Sequence, residues 1–189
     1  MFKNIILTSL AILLLATATF VAAKAKNGDS GSKSSGSSVS SMTQAQKDTL
    51  LFIYQEEKVA RDVYTTLGNY YQDQKVFSNI QLSEQEHMQS AKKLCEKYGI
   101  DISGVNETLV GNFVLPVLQE LYDTLVVQGY QSELSALMVG EYIEMRDIDD
   151  LQDAQAGMPE DVVKLFEHLK EGSYNHLEAF RSAIDAYKR

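Results

Sequence analysis

Four stretches of this chain repeat apolar residues at steps of three and four, and each carries ionisable or polar residues on that stripe. The first reads Leu50, Ile53, Glu57, Ala60, Tyr64, Leu67 and the second Ile80, Glu84, His87, Ala91, Leu94, Tyr98. The third reads Leu134, Leu137, Glu141, Glu144, Ile148, Leu151 and the fourth Val162, Phe166, Leu169, Ser173, His176, Phe180, Ala183, Tyr187. Such steps put side chains on one face of an α-helix. Runs of alternating Val, Ile and Thr are short, and Gly and Pro number only 11 and 2, which argues against a sandwich or barrel. The fold class is therefore all-α. A buried, unpaired carboxylate costs several kcal/mol, so four of them must be neutralised together. Two divalent cations balance four carboxylates, and two neutral imidazoles complete the shells. The candidate ligands are Glu57, Glu84, His87, Glu141, Glu144 and His176. A lone buried His or Glu is ordinarily a satisfied core residue. Agreement across four helices favours a shared site.

Cys95 is the single cysteine, so no disulfide, thiolate zinc cage or iron–sulfur cluster forms within the chain. Any metal must use carboxylate and imidazole, and Cys95 itself reads as a small buried hydrophobe. The net charge of -9 disfavours nucleic acid as a partner. Residues Ile5 to Ala23 form an apolar run behind Lys3, the pattern of a secretory signal at 1–25 that is either cleaved or kept as an anchor. Residues 26–41 hold eight Ser and three Gly and read as a flexible tether. The expectation is an exported domain, 42–189, touching a membrane only through an uncleaved N-terminus.

Within that domain, Thr43 and Gln46 form a capping-box pair that opens helix A over 44–71. Helix B is expected from Ser78 as N-cap to Tyr98, with Gly99 as its stop. A shorter helix follows over 115–128, then helix C over 132–155 and helix D from Pro159. The long B–C connection, with its short extra helix, can carry the chain from one end of a four-helix bundle to the other, as in ferritin-like folds. Glu56 is not separable from Glu57 by periodicity, since Phe52, Val59 and Val63 share its side. Glu167 reads as solvated.

Three strings carry a family resemblance. Glu57-Lys58-Val59-Ala60-Arg61-Asp62-Val63-Tyr64 resembles the Glu-x-x-Ala-Arg-x-x-Tyr of rubrerythrins. Ser83-Glu84-Gln85-Glu86-His87-Met88 resembles their Glu-x-x-His helix, and Gly140-Glu141-Tyr142-Ile143-Glu144-Met145 their Gly-Glu-x-x-Glu helix. With Gly172-Ser173-Tyr174-Asn175-His176-Leu177-Glu178-Ala179-Phe180, the region from Met42 to Tyr187 further resembles the ferritin-like family known as domain of unknown function 2202.

The resemblance implies two iron ions, or iron and manganese, held by Glu57, Glu84, His87, Glu141, Glu144 and His176. It implies chemistry on peroxide, dioxygen or ferrous iron, with Tyr64 lining the site in the catalytic role of a hydrogen-bond donor. Ser173 departs from the pattern, which has Glu three residues before the helix D histidine. Glu141 and Glu144 together supply the missing carboxylate, with Asp147 in reserve. Arg61 is expected to pair with a supporting carboxylate. A rubredoxin module is absent, so electrons come from an external donor or from substrate iron. The leading function is an exported peroxidase or ferroxidase, with a homodimer allowed. The alternatives are a non-catalytic metal-binding module and a metal-free helical interaction domain.

Overall fold

Thr43 caps the first helix as its sequence predicts: its backbone N–H donates to Gln46 Oε1 at 2.7 Å, and Gln46 N–H donates back to Thr43 Oγ1 at 3.3 Å. The structure, a computed structural model, describes residues 41–189; the signal segment and all but the last residue of the tether lie outside the described residues. Five helices follow in order: α1 (Gln44–Tyr70), α2 (Lys75–Lys97), α3 (Pro116–Gly129), α4 (Glu133–Ala154) and α5 (Glu160–Tyr187). Among the described residues there is no strand, and no helix is long and apolar enough to cross a membrane.

The ends of these helices follow local chemistry. α2 begins at Lys75, three residues before the expected Ser78, and its first turn seats the fully buried Phe77. Ser78 Oγ donates to the Lys75 carbonyl at 3.0 Å instead of capping. Gly99, at φ 62°, takes the left-handed conformation that closes α2. Ser132 caps α4 by accepting from Ser135 N–H at 3.0 Å. Pro159 sits at the cap of α5 rather than within its first turn.

α1 packs against α2 and α4, and α5 against α4 and α2, so the four long helices enclose one interior, with α3 against α1 and α4. That interior is apolar at both ends. One cluster gathers Val63, Leu67, Phe77, Ile80, Leu137, Ile143, Phe180 and Ile184. The other gathers Leu50, Ile53, Met88, Ala91, Leu151, Val162, Phe166 and Leu169. α1 and α5 run from the second cluster to the first, whereas α2 and α4 run the other way. Because α2 ends beside the second cluster and α4 starts beside the first, the chain between them must travel the length of the molecule. Residues 98–115 and α3 make that crossing.

α1 clamps the crossing. Lys58 Nζ, buried against the Phe113 ring, donates to Asp62 Oδ2 at 2.6 Å and to the carbonyls of Leu109 and Asn112 at 2.9 and 3.1 Å. Asp62 also accepts from Arg61 and from Gly111 N–H, while Arg61 donates to Gln85 and to the Glu107 carbonyl. The Lys58, Arg61 and Asp62 of the α1 motif therefore hold a loop, and only Glu57 and Tyr64 of that string face the interior polar belt.

Candidate metal site

Between the two apolar clusters each long helix contributes polar side chains at the same depth: Glu57 from α1, Glu84 and His87 from α2, Glu144 and Asp147 from α4, and Ser173 and His176 from α5. All are buried. All but Asp147 lie on the apolar stripe of their helix, so burying the stripe buries the polar groups with it.

Glu84 is the hub. Its Oε2 lies 2.9 Å from His87 Nδ1, and its Oε1 lies 2.7 Å from His176 Nδ1. His87 Nδ1 is also 3.4 Å from Glu57 Oε2, and His176 Nδ1 is 3.5 Å from Glu144 Oε2. The two imidazole rings are 5.4 Å apart. Glu84, His87 and His176 form a buried group whose ligand atoms lie within 4.8 Å of one another, an arrangement able to hold a metal ion.

Supporting residues set the aim of these ligands. Ser83 Oγ meets His176 Nε2 at 2.9 Å, leaving Nδ1 to face the carboxylates. Tyr64 donates its hydroxyl to Glu144 Oε1 at 2.5 Å. Ser173 donates to Asp147 Oδ2 at 2.5 Å. Gly172 gives His87 its place, because a Cβ there would stand 2.5 Å from the imidazole Cε1 and Nε2.

Protonation follows from this crowding. Burial would lower the His87 and His176 pKa values, but the facing carboxylates outweigh it and hold them at about 11 and about 10. Burial pushes Glu57 up to about 8, against His87 and with the Glu84 charge adding to it. Burial and the Glu84 charge push Glu144 up to about 7, against His176 and Tyr64. Asp147 is raised well above its usual range by burial and by the Glu57 charge, despite its bond from Ser173. Glu84 alone goes down: burial would raise it, but the two histidines hold it at about 2. Protons on the histidines and on the raised carboxyls thus offset the carboxylate charge within this cluster.

The structure brings together Glu57, Glu84, His87, Glu144 and His176 of the residues named from sequence. It does not bring Glu141 to them. Glu141 lies at the rim, its side chain 30% exposed and paired with Arg181 at 3.0 Å. Asp147, expected only in reserve, stands in the interior beside Glu144. Gly140 gives the reason: a Cβ there would stand 2.3 Å from the Phe180 ring, so the α4 backbone is held against α5 at Gly140. Asp147 lies on the same side of α4 as Gly140, two turns on, whereas Glu141 is rotated about 100° away from it. The signal available in the sequence was Gly140 itself, a small residue marking the close approach.

Glu56 separates from its neighbour as well. It turns toward α4, where Arg146 Nε donates to its Oε1 at 3.1 Å, while Glu57 faces α2. Cys95 is buried with its Sγ 3.9 Å from the Leu50 carbonyl, and burial pushes its thiol up to about 12.

Fold and site together define an all-helical domain built around a buried carboxylate and histidine cluster. Residues 46–188 match the family described as "Uncharacterized protein domain (DUF2202)", and the chain belongs to that family. Uncharacterized protein MJ0754 of Methanocaldococcus jannaschii is 42% identical over 147 residues, covering 77% of this chain and 78% of that protein. The crystal structure of hypothetical protein MJ0754 from Methanococcus jannaschii aligns with a TM-score of 0.74 at 40% identity, covering 78% of this chain and 83% of that one.

Proposed function

We propose that this is a ferritin-like di-metal carboxylate protein, exported, and an oxidoreductase acting on peroxide, dioxygen or ferrous iron. Its ligands are Glu57, Glu84, His87, Glu144, Asp147 and His176, with Asp147 in the place first given to Glu141. Two iron ions, or one iron and one manganese, suit this mixed set of oxygen and nitrogen donors.

One observation carries the reading. Glu57 Oε1 is buried and takes no hydrogen bond, while His176 Nδ1 is turned onto the carboxylate oxygens of Glu84 and Glu144 at 2.7 and 3.5 Å. Buried polar atoms are nearly always satisfied, so a bare carboxylate oxygen beside two imidazoles that face carboxylates fits the donor set of a cation. The charge count agrees, since four carboxylates balance two divalent ions.

Held by these residues, a pair of ferrous ions would supply the two electrons that reduction of peroxide to water requires, each becoming ferric. The chain's own residues do the rest. Ser83 fixes the His176 ring, Gly172 admits His87, and Tyr64 holds a proton on its hydroxyl toward Glu144. The apolar clusters on either side keep bulk water from the site. Among the described residues no cysteine pair offers a redox partner, so electrons come from an external donor or from substrate iron. Export rests on the apolar run Ile5 to Ala23.

Anaerobic reconstitution with ferrous iron, followed by metal counting and optical spectra before and after one equivalent of peroxide, tests the proposal. The expected result is close to two irons per chain and a new near-ultraviolet absorption after peroxide. Retention of no iron refutes it. Full iron retention with no response to peroxide or dioxygen leaves a metal-binding module.

A further inference from the structure

The ligands of the inner cluster are buried, so a metal ion must cross the wall of helices to reach them. On the face where α1 meets α4, a second set of carboxylates stands outside the first. Glu56, its side chain 7% exposed, and Asp150, 18% exposed, flank Arg146, whose Nε lies 3.1 Å from Glu56 Oε1 and 3.2 Å from Asp150 Oδ2. Arg146 does not satisfy both oxygens of Glu56. Glu56 Oε2 is a buried atom that takes no hydrogen bond, while Asp150 Oδ2 is held by Arg146 at 3.2 Å. Beside them, Glu56, Arg146 and Asp147 border one cavity of about 10 Å³, walled otherwise by apolar side chains of α1, α3 and α4. That is room for the centre of about one water molecule. The cavity thus lies between Glu56 of the outer pair and Asp147 of the inner cluster.

We propose that Glu56 and Asp150 form an outer seat for a divalent cation on its way to the inner cluster, held closed by the Arg146 guanidinium. A single positive charge between two carboxylates is a stand-in for an ion of charge two, which would take oxygen ligands from both. Arg146 is 26% exposed, so its head can swing to solvent as the ion arrives. Hand-over is short because the two helices that carry the outer pair also contribute to the inner set. Glu56 adjoins Glu57 along α1, and Asp150 stands one turn beyond Asp147 on α4.

The proposal rests on reading the inner cluster as a metal site, and the test separates the two. Cobalt(II) is mixed with the metal-free full chain in a stopped-flow instrument, and its visible absorption is followed to equilibrium for wild type, Glu56→Gln, Asp150→Asn and Arg146→Gln. Circular dichroism establishes that each variant is folded. Glu56→Gln and Asp150→Asn should load about tenfold more slowly, within the range by which a charged entry site raises an on-rate. Arg146→Gln should load several-fold faster. All should reach the wild-type final stoichiometry, since none of these residues is an inner ligand. Wild-type loading rates in Glu56→Gln, or loading of Arg146→Gln at or below the wild-type rate, would overturn the outer seat while leaving the inner site standing. A wild-type protein that binds no cobalt at equilibrium would overturn both.

Discussion

Replacing Asp147 by Asn should push the metal-free and metal-loaded proteins in opposite directions. Asp147 is 6% exposed and shares its surroundings with Glu57, Glu84 and Glu144. Whether it stays charged there or takes up a proton far above its usual range, it costs stability. Asn keeps the shape and still accepts from the Ser173 hydroxyl, which now stands 2.5 Å from Asp147 Oδ2. Removing a buried charge of this kind stabilises by about 1–3 kcal/mol. For a domain of this size each kcal/mol is worth about 2–4 °C, so the chelated variant should melt about 2–12 °C above chelated wild type. Metal reverses the order. Loss of a direct ligand should weaken the second ion at least as much as the ~100-fold seen for supporting residues. At fixed metal concentration a 100-fold loss removes about 2.7 kcal/mol of ligand-linked stability.

The assay is a pair of melts, with chelator and with excess cobalt(II), on wild type, Asp147→Asn and Glu141→Gln. Glu141 pairs with Arg181 at the exposed rim. Its loss should change either melt by no more than the ~1 kcal/mol of a surface ion pair. The reasoning is refuted if Asp147→Asn keeps the full wild-type gain on metal addition while Glu141→Gln loses it.

Gly172→Ala places a Cβ 2.5 Å from the His87 ring and must move that imidazole by about 1 Å to reach ordinary contact, a displacement that weakens a site markedly; titration calorimetry should show lower cobalt affinity with the helical spectrum unchanged. Tyr64→Phe removes the donor to Glu144 and should lower chemical-denaturation stability by about 1–3 kcal/mol while two ions still bind. The metal-free protein should lose stability as pH rises. His87 and His176 titrate at about 11 and about 10 when folded against 6.5 ordinarily, so their contribution is complete below pH 6.5 and disappears through those values. Glu57, at about 8 against 4.5, acts in the same direction from pH 4.5 upward. Melts with chelator should therefore be lower at pH 9 than at pH 6, and cobalt should bind more tightly at pH 8 than at pH 6, because fewer protons compete with it.

Much of the fold was legible because the periodicity of this chain is strong. The seams placed Glu57, Glu84, His87, Glu144 and His176 inside, and Thr43 with Gln46 marked the start of α1. Legibility failed where one helix could be turned about its axis without breaking the pattern. Glu141 and Asp147 lie about 60° to either side of Glu144, so step counting alone accepts both. Contact between Gly140 and Phe180 decides for Asp147, and that contact belongs to tertiary packing. The same holds for Glu56 and Glu57, which only Arg146 on one side and His87 on the other distinguish. Ser83 gave no signal, since its bond to His176 joins residues 93 positions apart. Lys58, Arg61 and Asp62 sit in the string that carries the family resemblance, yet they secure the crossing between α2 and α3 and do not enter the cluster.

Anomalous diffraction at the iron edge, from crystals of protein loaded anaerobically with ferrous iron, tests the central claim most directly. Two peaks should appear in the polar belt, each within bonding distance of one imidazole Nδ1, with Glu84 between them and Glu57, Glu144 and Asp147 completing the shells. Absence of any peak there in a crystal whose bound iron has been counted, or a peak coordinated by Glu141 with Asp147 outside bonding distance, would contradict the account.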